Sequence, residues 1–199
     1  MITRADFDII SQWVPPASRV LDLGCGDGSL IRHLTDTKQV RGYGIENDEA
    51  SLLKCIDNRV SVIQTNLESG IKEIADHSFD VVILSQTLQA IKYTEAVVAE
   101  MLRVGREAIV TFPNFGYWKH RLQIGLTGKM PVSDDLPYQW YDTPNVHLFT
   151  IHDFENFCAA LGYRVNNRRV LAGSLSVARE ATILPNLTGS LALYKISSA

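Results

Sequence analysis

At 199 residues, with 46% hydrophobic and 21% charged side chains, the chain carries enough apolar material for one buried core, is short for two ordinary domains and is not a disordered polymer. A formal net charge of -3 supplies no long-range attraction to phosphate backbones, so nucleic acid is not an expected partner. The three cysteines, Cys25, Cys55 and Cys158, stand far apart with no C-x-x-C pair, which argues against a disulfide framework or a metal site and suits a reducing, cytoplasmic setting.

The opening stretch, MITRADFDIISQWV, lacks the basic region, apolar run and small-residue cleavage site of a signal peptide. No apolar run reaches spanning length, so no membrane association is expected. Phe7, Ile9, Ile10, Trp13 and Val14 predict one face of a leading helix that Pro15 and Pro16 stop. RVLDL then reads as a strand entering a glycine-rich turn, followed by a helix carrying Leu30, Ile31 and Leu34. GYGIE predicts a second strand ending at Glu46, and Asn47 or Asp48 caps a helix carrying Leu52, Leu53 and Ile56. Residues 60–64, 80–85 and 108–112 read as three more strands, apolar on both faces as in a buried parallel sheet. Between the last two, residues 94–104 repeat apolar side chains at helical spacing through Ala96, Val97, Met101 and Leu102.

An irregular insertion, rich in aromatics, proline and glycine, occupies about 116–148 and is too long for an ordinary connection. A helix near 151–161 ends at Gly162, and YRVNNRRVL and GSLALYKI predict an antiparallel hairpin at the sheet edge. The expected architecture is a single α/β domain over 1–199. Its core is a doubly wound, mainly parallel, seven-stranded Rossmann-like sheet with an antiparallel last strand.

The chemistry concentrates in LDLGCGDGS. Gly24, Gly26 and Gly28 let the backbone turn tightly and a ligand approach without meeting Cβ atoms, with Cys25 between them. A dinucleotide fingerprint would require glycine or alanine where Ser29 stands, and its helix end would face a pyrophosphate. Asp22 at the strand end is instead suited to a ligand ammonium, and Glu46, about twenty residues on, to a pair of ribose hydroxyls. An ammonium and a ribose without phosphate describe S-adenosylmethionine (SAM) or its demethylated product S-adenosylhomocysteine; the plainer alternative is turn punctuation with a solvated strand end. Asn47 follows Glu46 at the same rim. Asn66 is read either as an adenine-edge hydrogen-bonding group or as a simple turn residue, with Leu67 and Ile45 as apolar walls. Ser85 and Gln86 end the fourth strand at the crevice, Gln86 as a neighbour of the transferred group or as an ordinary loop residue.

VLDLGCGDG, GYGIE and LSQTLQAI together resemble class I SAM-dependent methyltransferases. FPNFGYWKHRLQIGLTGKMP, LPYQWYDTPNVHLFTIHDFENFC and LGYRV are further similar to the MetW family of methionine-biosynthesis proteins. That resemblance implies a methyltransferase fold attached to methionine synthesis, acting with a homoserine O-acyltransferase (MetX-like) partner rather than necessarily methylating anything. It implies SAM contacts at Asp22, Gly24, Gly26, Gly28 and Glu46. Asn66 departs from the aspartate common in the family, which weakens the adenine contact from charge-assisted to neutral.

No N-P-P-[YF] run and no Pro-Cys nucleophile is present, and a catalytic group is not identified. His120, Tyr138, Tyr141 and His147 are the available acid–base groups of the insertion, each more readily read as structural or interfacial. Its aromatics, among them Phe115, Tyr117, Trp118, Trp140 and Phe149, suit a protein interface, a lid or a core beneath a long loop. A homo-oligomer is compatible with all three.

Overall fold

The computed structural model describes residues 4–67, 71–133, 136–173 and 178–199. Asp134 and Asp135, within the expected insertion, lie outside the described residues. The leading helix, α1, runs Ala5–Trp13 and buries Phe7 and Ile10, ending ahead of Pro15 as its missing N–H requires. β1 (Arg19–Leu23), α2 (Ser29–Lys38), β2 (Arg41–Glu46), α3 (Glu49–Asp57) and β3 (Ser61–Gln64) follow. β4 (Phe79–Ser85) leads through a 3-10 turn at Leu88–Ala90 into α4 (Thr94–Val104) and β5 (Gly105–Pro113). α5 (Trp118–Thr127) and α6 (Ile151–Ala160) precede β6 (Arg164–Ala172), the two-residue β7 (Arg179–Glu180), the short α7 (Pro185–Thr188) and β8 (Leu191–Ser197).

One mixed sheet takes the order β3-β2-β1-β4-β5-β8-β6-β7, parallel through β5 and antiparallel beyond it. The expected α/β, mainly parallel, doubly wound architecture is borne out, with eight strands rather than seven because β7 adds a short edge. The last two long strands pair antiparallel at one end of the sheet as expected, with β8 between β5 and β6. Its segment LALYKI is buried almost throughout, and such a run is stable only with a strand on each side. The expectation of a strand buried on both faces fails at β3, which is largely exposed because it closes the other end of the sheet.

Side chains alternate between two cores. Leu21, Leu23, Val82, Leu84, Val110 and Phe112 face α4 and α6, whereas Val20, Val81, Ile83 and Ile109 face α1 and α2. Burying each such side chain contributes about 1.5–3 kcal/mol, so the two helical layers are held by the sheet they cover. Two glycines of β2 permit the α2 layer to sit close: a Cβ at Gly42 would lie 2.3 Å from Ile31 Cγ2, and one at Gly44 would lie 2.4 Å from Cys25 Sγ. On α3, Leu52 and Cys55 are buried while Leu53 and Ile56, expected to face the core, are exposed. The stretch read as wholly irregular contains α5, although residues 128–133 and 136–150 form no regular helix.

Candidate site at the carboxyl ends of the parallel strands

Strand order reverses between β1 and β4, and adjacent crossovers therefore leave the sheet to opposite faces, opening a crevice above the strand ends. A cavity of about 740 Å³ lies there. Gly24 after β1, Glu46 and Asn47 after β2, Asn66 and Leu67 after β3, and Thr87 after β4 line it. Ala90, Ile91 and, from the far side of the insertion, Pro144 complete the wall. The insertion is held over this region by Gln89, whose carbonyl accepts from the N–H groups of Val146 at 2.8 Å and His147 at 3.0 Å.

The glycine turn is built around Ile45 and Glu46. Ile45 O accepts from Gly24 N–H at 2.8 Å and from Cys25 N–H at 3.1 Å. Glu46 Oε2 accepts from Gly26 N–H at 2.8 Å, and Oε1 accepts from Asn47 N–H at 2.7 Å and Asp48 N–H at 2.9 Å. One carboxylate thus ties the first turn to the second, and Glu46 also lines the cavity. Gly24, Gly26 and Gly28 have φ of +69°, +56° and +74°, the left-handed region that an L side chain enters at a cost of about 1 kcal/mol or more. They differ in surroundings: a Cβ at Gly24 would be 3.0 Å from Thr87, one at Gly28 3.0 Å from Val60, and one at Gly26 would meet nothing within 4 Å. Gly26 alone of the three opens onto space.

Asp22 points to the α1 side and is 2% exposed, and its Oδ1 has no hydrogen-bond partner among the described residues. Burial pushes its carboxyl up to about 8, against the opposing pull of the Arg4 guanidinium and with a further push from Glu46. Arg4 itself grips Asp6, Nε to Oδ1 at 3.1 Å and Nη2 to Oδ2 at 2.6 Å. Gln86 Nε2 donates to the same Asp6 at 3.3 Å, so its side chain braces α1 and does not line the cavity. Ser85 Oγ lies 3.2 Å from Thr111 Oγ1, inside the sheet end. Cys25 packs into the gap left by Gly44, with its Sγ 3.7 Å from Cys55 Sγ, and Cys55 Sγ donates to Gly26 O at 3.1 Å. Burial raises both thiols above their usual range, leaving them as small packing groups.

Of the residues expected from sequence, Gly24, Glu46, Asn47, Asn66 and Leu67 line the cavity. Asp22, Cys25, Gly26, Gly28, Ser85 and Gln86 stand behind or beside it. Asp48, Glu49, Thr87, Ala90, Ile91 and Pro144 were not expected. Asp48 was legible only as a helix cap, which it is, Oδ2 accepting from Ser51 N–H at 2.8 Å. Among the described residues the lining holds three acids, Glu46, Asp48 and Glu49, and no lysine or arginine, so it favours neutral or cationic ligands and repels phosphates.

The acid–base groups of the insertion separate cleanly. His120 is 1% exposed and hydrogen-bonds Ser133, Tyr138 and Tyr141 are largely exposed, and His147 lines a second cleft of about 860 Å³ with Leu88, Tyr93 and Phe154.

This arrangement of sheet and crevice is the fold of the SAM-dependent methyltransferases. A SAM-dependent methyltransferase from Thermotoga maritima is similar at 14% identity with a TM-score of 0.67, over 98% of this chain and 88% of that one. One from Archaeoglobus fulgidus is similar at 12% identity with a TM-score of 0.67, over 96% and 93% respectively. Such distant likeness speaks to fold alone. Sequence narrows the class: the family described as methionine biosynthesis protein MetW matches residues 4–196. The bifunctional methionine biosynthesis protein MetXA/MetW of Rhodopirellula baltica is 37% identical over 79% of the chain. The chain belongs to the MetW family of methionine-biosynthesis proteins. It spans 27% of the length of that bifunctional relative. Among the described residues no helix is long and apolar enough to cross a membrane.

Proposed function

We propose that this chain binds SAM or S-adenosylhomocysteine in the acid-lined crevice and acts as an accessory subunit of a homoserine O-acyltransferase. The observation that carries the ligand is Glu46: a carboxylate anchored by three backbone amides at the end of β2, lining a cavity that among the described residues has no lysine or arginine to hold phosphate. In this reading Glu46 accepts the ribose hydroxyls, and Asn47 borders the same sugar. Asn66 and Leu67 meet the adenine, and Gly24 and Gly26 allow the close approach, Gly26 having open space where a Cβ would stand. Cys25 and Gly28 hold the turn in shape from behind. Asp22 matches the amino-acid ammonium: a buried carboxyl oxygen lacking a partner is stabilised by a cation brought near, directly or through water. Ser85 and Gln86 shape the sulfonium end through Thr111 and Asp6.

SAM, when bound, supplies an electrophilic methyl and a positive charge. The chain's own contribution is to orient the adenosyl group and, through Gln89 and Pro144, to couple the crevice to the insertion. A ligand that prefers one arrangement of that insertion shifts its population and thereby adjusts a partner docked there. The acyltransferase partnership is supported by family membership and by the relative whose name joins MetXA to MetW. The whole chain is read as a single domain.

Calorimetry with ligand-stripped protein tests the ligand. SAM or S-adenosylhomocysteine gives a saturable heat, and Glu46→Gln, with its folding checked by circular dichroism, weakens Kd by about tenfold or more because one charged acceptor of two hydroxyls is lost. No heat with either ligand refutes the ligand reading. A second reading, methyl transfer to a small acceptor, is favoured by the apolar cleft that shares the 87–92 segment with the crevice and contains His147. Continuous S-adenosylhomocysteine formation with a metabolite pool would select it.

A further inference from the structure

Along α5 the single buried side chain is polar. His120 is hydrogen-bonded through Nε2 to Ser133 Oγ at 3.0 Å, with its ring near those of Phe115 and Tyr117. At about 100° of rotation per residue, Trp118, Leu122 and Leu126 form one stripe centred about 160° around the axis from His120. They are 44%, 50% and 77% exposed. Gly125, on the same side, has nothing within 4 Å of its Cβ position. An amphipathic helix ordinarily turns its apolar stripe to the core. This one is anchored by its histidine and turns the stripe to solvent. Lys119 and Arg121 flank the stripe, Lys129 follows, and no acid occurs from Gly116 to Ser133, a basic patch on a chain of net charge -3.

We infer that the Trp118–Leu122–Leu126 stripe is the docking surface for the acyltransferase, which covers it with an apolar groove rimmed by acidic side chains. The inference rests on the accessory-subunit reading above. The occupant follows from two observations. In the bifunctional relative this unit is a minority of one polypeptide whose name also contains MetXA, so a surface of this kind has a tethered partner at high effective concentration. The basic flanks specify the rim: a second copy across a two-fold axis would set Lys119, Arg121 and Lys129 of one protomer near their equivalents, and like charges there oppose pairing. A lipid surface fits less well, because one ten-residue helix with few flanking cations is a weak single anchor.

The test mixes the full chain with the homoserine O-acyltransferase of the source organism and measures Kd by calorimetry and complex mass by light scattering. Leu122→Asp combined with Leu126→Asp weakens binding at least about a hundredfold, because two central apolar anchors become charged. Lys119→Glu slows association and flattens its salt dependence. Leu53→Asp on α3, at an exposed apolar position elsewhere, leaves Kd within about twofold. Circular dichroism and SAM binding verify that each variant is folded and loaded. Absence of a complex with the unmodified chain overturns the accessory reading and this surface with it. A complex that the double variant forms equally well overturns the surface alone. The surface is also overturned if the double variant instead abolishes self-association, or binding to phosphatidylglycerol vesicles, while acyltransferase binding persists.

Discussion

The turn between Asp22 and Glu46 and the insertion from Trp118 to Pro144 both carry glycines and large apolar side chains, yet they solve opposite problems. In the turn most of the space is taken: Gly44 leaves room for Cys25, Gly42 for Ile31, Gly24 for Thr87, Leu23 and Ile45 are enclosed, and Gly26 faces open space. In the insertion Gly125 and Gly128 have empty surroundings, and Trp118, Leu122, Leu126, Trp140 and Tyr141 stand in solvent. Contacts inside the chain thus account for most of the first region, with Gly26 and Asp22 Oδ1 as its open positions, while the second leaves its large apolar side chains in solvent.

The widest predicted separation comes from core truncation. Leu84→Ala, at a fully buried position on β4, lowers stability by about 2–5 kcal/mol in denaturant melts, whereas Leu126→Ala changes it by less than about 0.5 kcal/mol. Equal losses would mean that the α5 stripe is covered within the chain. A matched glycine pair is next. Gly44→Ala forces a methyl against Cys25 and lowers stability by about 1–3 kcal/mol, while Gly125→Ala leaves it unchanged or raises it by up to about 1 kcal/mol through helix propensity.

The finest probe is pH. Asp22 titrates near 8 in the folded chain against an ordinary value of 3.8, so the folded state holds an extra proton between those limits. This group's contribution is therefore greatest at low pH and is lost as pH rises through about 8, with a slope of at most about 1.4 kcal/mol per unit. Asp22→Asn removes that slope, and urea melts of the two proteins from pH 5 to 8 measure the difference. If SAM places its ammonium beside Asp22, binding releases the same proton, and the heat of binding then varies with the ionisation enthalpy of the buffer. Parallel stability curves for the two proteins would show that Asp22 is already charged in the fold.

The periodic elements were legible in the amino-acid order because each depends on near neighbours. The helix of residues 94–104 has the bounds its apolar repeat predicts, and α1 ends where Pro15 and Pro16 require. Gly24, Gly26, Gly28 and Glu46 were legible for the same reason, since a tight turn and a strand-ending carboxylate are local chemistry. Thr87, Ala90, Ile91 and Pro144 were not: each reaches the crevice only because β4 lies next to β1 and Gln89 pins the insertion. Gln86 ends the expected strand, but its pairing with Asp6, eighty residues away, turns its side chain off the cavity.

By itself the sequence determined the α/β class, the order of strands and helices, the glycine turn and family membership, because hydrophobic period, proline and glycine act over a few residues. It took long-range packing to place β8 between β5 and β6, to leave Asp22 Oδ1 without a hydrogen-bond partner among the described residues, and to turn the α5 stripe to solvent. Those three outcomes are settled by which distant segments compete for the same space, and no local pattern encodes that competition.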